Sequence, residues 1–262
     1  MSVIVRKLII WGSLAQAAIL EAVRRKDLYV AVILSVLMIG AAATIGTFGV
    51  KGLEMFLKDV ALTVVNLLSI LLAVLFAARQ IPEEVSRRTV YPLLARPIGR
   101  GDLLIGKFLG AFALSAISLL LFALIAYSAL AFYGLSVGAV FGQYLLARLF
   151  SLALICAMTL MLSLFLTPSA CVTISLLLAV GAQTVSQAVL LMYGPASETG
   201  KGVLRATYFV LPHLDLFDLS KKVSYGWKPV DTWVMGALLL YSVVYSAIFL
   251  GIGMARFRRQ AL

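Results

Sequence analysis

Long apolar stretches separated by short polar ones dominate the chain. Such stretches of about 20 residues are long enough for a helix to cross the hydrocarbon core of a bilayer. Residues 108–147 are uncharged over about twice that length and divide at the glycines of residues 134–142, where a turn is expected. The Thr167-Pro168-Ser169 tripeptide marks a further turn, because proline lacks the amide hydrogen that a continuing helix needs. The pattern therefore predicts six transmembrane helices, over residues 28–50, 60–78, 108–133, 144–166, 170–192 and 232–254.

The segments outside these spans have distinct patterns of their own. Residues 1–27 predict an amphipathic helix lying in the membrane interface, because Arg6, Ser13 and Arg24 fall on one face at about 100° per residue. The same stretch also has features of a secretory signal peptide, and that alternative stays open. Residues 79–107 and 193–231 are the long polar connections. The expected fold is one all-α, polytopic transmembrane domain over residues 1–262.

Composition narrows the class of protein. Hydrophobic residues make up 63% of the chain and charged residues only 13%, against 45–50% apolar and about 25% charged in a soluble domain. This excludes a cytosolic enzyme, a disordered chain and a disulfide-rich secreted scaffold. Cys156 and Cys171 both lie in apolar runs, and His213 is the single histidine, so no metal-binding pattern is present. We expect an integral membrane protein surrounded by lipid and without a metal ion.

The charge distribution predicts an orientation. The net charge is +11, and most of the 22 Lys and Arg residues fall before residue 28, within residues 79–107 or after residue 254. The positive-inside rule then predicts that both termini and residues 79–107 are cytoplasmic. The expected location is the inner membrane of a prokaryote. Cationic loops facing anionic lipid explain this charge better than nucleic acid as a partner.

The predicted spans contain few ionisable residues. They lack Asp, Glu, Lys and His, and Arg148 lies near a span end, where it is expected to reach the interface. Intramembrane charges usually mark proton relays and ion pathways, so energy for any uphill transport is expected to enter from outside the bilayer. Polar residues in the spans are candidates to line a pathway, although hydrogen bonding between helices is an equal alternative: Asn66, Gln183, Ser186 and Gln187.

One stretch of the 79–107 connection resembles a nucleotide-binding motif. Gly101 to Lys107 fits the spacing G-x-x-x-x-G-K, but Phe108 stands where a phosphate loop requires Ser or Thr for magnesium. The chain is therefore expected to have no ATPase site of its own and to be non-catalytic.

The same connection resembles a known family. Glu83-Glu84, Thr89, Leu93-Leu94, Pro97, Arg100 and Gly106-Lys107 are similar to a segment typical of ABC transporter permeases of the ABC type-2 class, which include export permeases and the permease of nitrous oxide reductase maturation. Arg88 stands where that class usually has Gly. The resemblance implies a permease subunit of an ATP-binding-cassette transporter, with export as the expected direction. The sequence does not identify the substrate.

The resemblance also implies partners and site residues. A separate ATPase subunit, holding ATP and Mg, would dock on a coupling helix in residues 79–107, and two permease copies would pair as a homodimer, with a periplasmic accessory protein as a candidate partner. Residues 193–231 would form an external re-entrant hairpin whose gate candidates are His213, Asp215 and Asp218. The coupling candidates are Glu83, Glu84, Arg87, Arg88, Thr89, Pro97 and Arg100. The alternative function is an ATP-driven transmission protein that remodels or regulates a periplasmic or membrane partner without moving substrate.

Overall fold

The chain folds into a helical bundle. The computed structural model describes residues 10–17, 19–20, 26–46, 53–86, 99–193, 200–202 and 212–259. Within them no strand occurs, which confirms the all-α class for the part of the chain described. The helices are α1 (Asp27–Gly46), α2 (Leu53–Ser86), α3 (Arg100–Phe132), α4 (Val140–Ser163), α5 (Pro168–Tyr193), a 3-10 turn (Leu214–Phe217), α6 (Ser220–Ser224) and α7 (Thr232–Arg259). Residues 10–17 and 19–20 are also helical and are called the N-terminal segment below.

Four helices are long and apolar enough to cross a membrane, namely α2, α3, α4 and α7. Shorter apolar stretches, Leu28–Ala41 and Pro168–Gly181, lie within α1 and α5. Each of the six predicted segments therefore overlaps a helix, and the long apolar helices indicate a membrane protein. The count of six crossings stays a prediction.

Helix α2 lies at the centre of the bundle and packs against α1, α3, α4 and α5. Small residues line its buried faces, including Ala61, Ala73 and Ala77, and small side chains let helices in lipid approach closely. Helix α7 packs mainly on α4 and exposes large apolar side chains such as Leu240 and Val243. Between α3 and α4, Gly134 adopts a φ of 69°, so the turn falls where the glycines predict it.

Helix α2 extends well beyond its predicted span. Its 34 residues correspond to about 50 Å, whereas the hydrocarbon core of a bilayer is about 30 Å thick. Pro82 lies inside its last turns, where only one helical hydrogen bond is lost. A coupling helix was expected within residues 79–107; residues 79–86, which include the coupling candidates Glu83 and Glu84, instead continue α2.

Several predicted features lie outside the described residues. These are the start of the interfacial helix at residues 1–9, the coupling loop at residues 87–98, and residues 194–199 and 203–211 of the external hairpin. The described part of that hairpin contains the 3-10 turn and α6. Its re-entrant character stays a prediction.

Candidate functional site

Two ends of the bundle carry the polar contacts of interest. The basic end is where α3 begins and α7 finishes, and it bears Arg100, Arg256, Arg258 and Arg259. The opposite end contains the turn from α3 to α4 and residues 212–231. Each end contains one group of residues that the sequence analysis singled out, so each is described in turn.

At the basic end, Arg100 holds the end of α7. Its Nη1 donates hydrogen bonds to the backbone carbonyl oxygens of Phe257 at 2.9 Å and Arg258 at 3.2 Å. The last carbonyls of a helix have no partner within the helix, so an arginine placed there satisfies them. The guanidinium also lies 5.9 Å from the centroid of the Phe257 ring. Among the predicted coupling residues, Arg100 is the one whose side chain the structure describes, and it bonds within the chain.

The N-terminal segment docks on the same end of α3. Trp11 donates a hydrogen bond from Nε1 to Asp102 Oδ1 at 3.0 Å. Leu14 is buried against Gly106, where an added Cβ would lie only 2.7 Å from the Leu14 Cβ. A Cβ added at Gly101 would similarly lie 2.6 Å from the Met254 Cε. The glycines of the nucleotide-loop-like motif thus lie within a helix, where they make room for packed side chains.

At the opposite end, Arg148 is buried inside the protein. Only 2% of it is exposed, although the sequence analysis expected it to reach the interface. It lies eight residues into α4, about 12 Å along the helix, and its Nη2 is 2.8 Å from Asp218 Oδ1. Its guanidinium stands 5.7 Å from the Tyr144 ring centroid. The expectation was wrong because a carboxylate from residues 212–231 reaches the guanidinium within the bundle.

Asp218 connects this ion pair to α6. Its Oδ1 also accepts a hydrogen bond from the Ser220 backbone N–H at 3.1 Å, at the start of that helix. His213, another gate candidate, donates its backbone N–H to the Tyr241 hydroxyl of α7 at 2.9 Å. Asp215 lies between them in the 3-10 turn and is half-buried. The three gate candidates thus belong to one short segment that contacts both α4 and α7.

Three residues of α4 hold the opposite end together, and the sequence analysis named only Arg148, with a different expected role. Gln143 donates to the Val230 carbonyl oxygen and accepts from the Val230 N–H, both at 2.8 Å. Tyr144 donates from its hydroxyl to the Leu62 carbonyl oxygen on α2 at 3.1 Å. Arg148 is the third. The available signal was one arginine in an otherwise uncharged span, facing a connection that carries Asp215 and Asp218.

The pathway candidates are only partly described. Asn66 is half-buried on α2, and its Oδ1 has no hydrogen-bond partner among the described residues. Three further candidates lie on α5, but their side chains are outside the part of the chain that the structure describes: Gln183, Ser186 and Gln187. A pathway and interhelical hydrogen bonding both stay open. In the described residues, no group of three or more His, Cys, Asp or Glu could hold a metal ion.

Comparison with protein families gives a match over most of the chain. The family model DUF2705, described as a protein of unknown function, matches residues 28–261. No curated protein matches the chain.

Proposed function

The chain belongs to the DUF2705 family, whose function is unknown, and we propose from its own residues that it is the permease subunit of an ATP-binding-cassette transporter. In this proposal it acts as an exporter of the ABC type-2 class and pairs with a second copy of itself. A separate ATPase subunit, which holds ATP and Mg, docks on the connection between α2 and α3. The basic end faces the cytoplasm of a prokaryote.

The two helices that flank this connection support the proposal. Helix α2 has 34 residues and α3 has 33, so each exceeds the thickness of a bilayer core and can project beyond it. Glu83 and Glu84 lie at the C-terminal end of α2, where the helix dipole disfavours negative charge. A pair of carboxylates that the helix itself does not favour is consistent with a role in binding cationic groups of a partner.

The observation that carries the proposal is the bracing of the basic end. Arg100 joins the first turn of α3 to the last turn of α7, and the Trp11–Asp102 hydrogen bond joins it to the N-terminal segment. Leu14 packs on Gly106 one turn further along α3. A force applied to the 87–98 connection therefore reaches α3 directly and, through these contacts, α7 and the N-terminal segment. Energy from a docked ATPase needs such a rigid route into the spans.

The orientation can be tested separately. The concentration of basic residues at the end of α7 favours a cytoplasmic location, by the positive-inside rule. A single cysteine at residue 90, in a variant with Cys156 and Cys171 replaced, should resist an impermeant maleimide in intact cells and react after lysis. Labelling in intact cells would contradict the orientation.

The function itself is tested by charge reversal in the coupling residues. The chain is co-expressed with each candidate ABC ATPase subunit of its source organism and purified through a tag on the chain. The double variant Glu83→Lys with Glu84→Lys should insert into the membrane normally. It should either fail to co-purify with the ATPase or hydrolyse ATP without coupling to transport. Asp231→Lys, an exposed acid at the opposite end, is the matched control and should retain the ATPase. Retention of a fully coupled ATPase by the double variant would contradict the proposal.

A further inference from the structure

Residues 212–227 form a short segment, called the plug below, that covers the opposite end of the bundle. Its 3-10 turn buries Leu214 and Phe217, which are 2% and 0% exposed, while Leu216 between them is 51% exposed. The Phe217 ring lies 6.1 Å from the Tyr241 ring of α7. We infer that the plug leaves its seat as one unit, and that the Arg148–Asp218 ion pair is the latch that holds it down. This inference uses contacts within the chain alone and does not depend on the proposed transport function.

The plug has the internal bonding of a single unit. Asp218 accepts the Ser220 N–H at the start of α6, and α6 ends in a Schellman motif. In that motif the Trp227 N–H donates to the Lys222 carbonyl oxygen at 3.0 Å and the Gly226 N–H to the Val223 carbonyl oxygen at 3.3 Å. Gly226 adopts a φ of 64°, a left-handed conformation that glycine accepts without strain. These bonds stay within the plug when it moves.

The chain is anchored again just beyond the plug. Gln143 of α4 holds the backbone of Val230 through two hydrogen bonds of 2.8 Å. Residues 228 and 229 lie between this anchor and the end of the Schellman motif. The anchor fixes the chain where it enters α7, so a movement of the plug can be confined to the residues before Val230.

The ion pair has the properties of a tie that can open. Arg148 is 2% exposed and stays in α4, whereas 28% of the Asp218 side chain is exposed and belongs to the plug. The Nε of Arg148 has no hydrogen-bond partner among the described residues, nor have the hydroxyls of Ser151 and Ser224. A fully satisfied polar network would hold rigidly. Here, water that enters when the plug lifts can bond groups that lack partners in the seated state.

The latch is tested by the accessibility of Leu214, which is buried only while the plug is seated. The probe is Leu214→Cys in a background with Cys156 and Cys171 replaced by alanine. Purified protein in lipid nanodiscs is treated with an impermeant maleimide, and the labelling rate is measured. Adding Asp218→Asn should raise the rate at least about tenfold, because the isosteric amide removes the charge opposite the guanidinium. Asp231→Asn is the matched control and should change the rate by less than about twofold, because Asp231 is exposed beyond the plug.

A second probe separates local from global opening. Leu14→Cys reports on the basic end, where Leu14 is 8% exposed, and its labelling rate should not change in Asp218→Asn. Asp218→Glu, which restores the charge, should return the Leu214→Cys rate to within about threefold of its starting value. Unchanged labelling at Leu214→Cys in Asp218→Asn would overturn the latch. A parallel rise at Leu14→Cys would show that the bundle opens as a whole, and would overturn the plug as an independent unit.

Discussion

The two ends of the bundle each use an arginine, and they use it differently. At the basic end, Arg100 is half-buried and bonds to two backbone carbonyl oxygens of α7. At the opposite end, Arg148 is almost wholly buried and contacts a carboxylate. A half-buried guanidinium on carbonyls can exchange its bonds for water at modest cost. A buried one cannot do so while the plug is seated, because removing the opposing charge leaves an uncompensated cation in a medium of low dielectric constant.

The two arginines therefore have different structural roles. The partners of Arg100 belong to a long helix, so the bond joins two elements that extend through the bundle. The partner of Arg148 belongs to a segment of a few turns, so the bond decides whether that segment stays seated. Both statements can be tested by comparing the free energies of unfolding of matched variants in detergent micelles.

The largest expected effect comes from removing the charge of Asp218. Asp218→Leu leaves the Arg148 guanidinium buried and unpaired, and should lower the free energy of unfolding by about 3–5 kcal/mol. Arg148→Met leaves a carboxylate that is 28% exposed and can be hydrated, so its cost should be about 1–2 kcal/mol. The double variant should lie within about 1 kcal/mol of the parent, because apolar groups then replace both charges. Denaturant unfolding measures all three, and equal losses for the two single variants would contradict the proposed asymmetry of burial.

The next largest effect is expected at Arg100. Arg100→Met removes two charge-assisted hydrogen bonds to the end of α7, and should cost about 1–2 kcal/mol because water can reach the freed carbonyl oxygens. Amide hydrogen exchange should increase in the last turn of α7 and not near Tyr241. Faster exchange throughout α7 would mean that Arg100 supports the whole helix and that the two ends are not separate.

A smaller effect is expected from the glycines of α3. Gly106→Ala places a methyl group 2.7 Å from the Leu14 Cβ, which cannot move without its backbone. A cost of about 1 kcal/mol, at the low end for overpacking, is expected because the N-terminal segment can be displaced. Gly101→Ala meets only the end of the flexible Met254 side chain, so a cost below about 0.5 kcal/mol is expected. Gly236→Ala has nothing within 4 Å and is the control. Equal costs at Gly101 and Gly106 would contradict the docking of Leu14.

The positions of the helices were predictable from the sequence because lipid demands long uninterrupted apolar runs. A proline or a cluster of glycines then marks the turns, as at Pro168 and Gly134. The ends of α2 were not predictable, because charged residues beyond the apolar run can continue a helix as well as leave it. Glu83 and Glu84 fit either position, and the structure places them in α2.

The contacts of the candidate sites were harder to predict. Arg148 and Asp218 are 70 positions apart, and nothing local to Arg148 indicates which acid it meets. Gln143 bonds to the backbone of Val230, and almost any residue type at position 230 would offer the same two backbone groups. The glycines at 101 and 106 have the spacing of a phosphate-binding loop. The same spacing also occurs where glycines in a helix make room for neighbouring side chains, as they do here. The partner of each of these residues is therefore set by long-range packing, which the local sequence pattern does not indicate.

The smallest expected effect concerns the hydrogen bond that docks the N-terminal segment. Trp11→Phe keeps an aromatic ring but removes the donor to Asp102, so it should cost about 0.5–1.5 kcal/mol of docking free energy. The labelling rate of Leu14→Cys should rise by about two- to tenfold, while that of Leu214→Cys stays unchanged. Gly12→Ala, which has open space around it on the same segment, should leave both rates unchanged. If Trp11→Phe accelerates labelling at Leu214→Cys as well, the two ends are coupled through the bundle. The contacts of the basic end and the latch then belong to one mechanism.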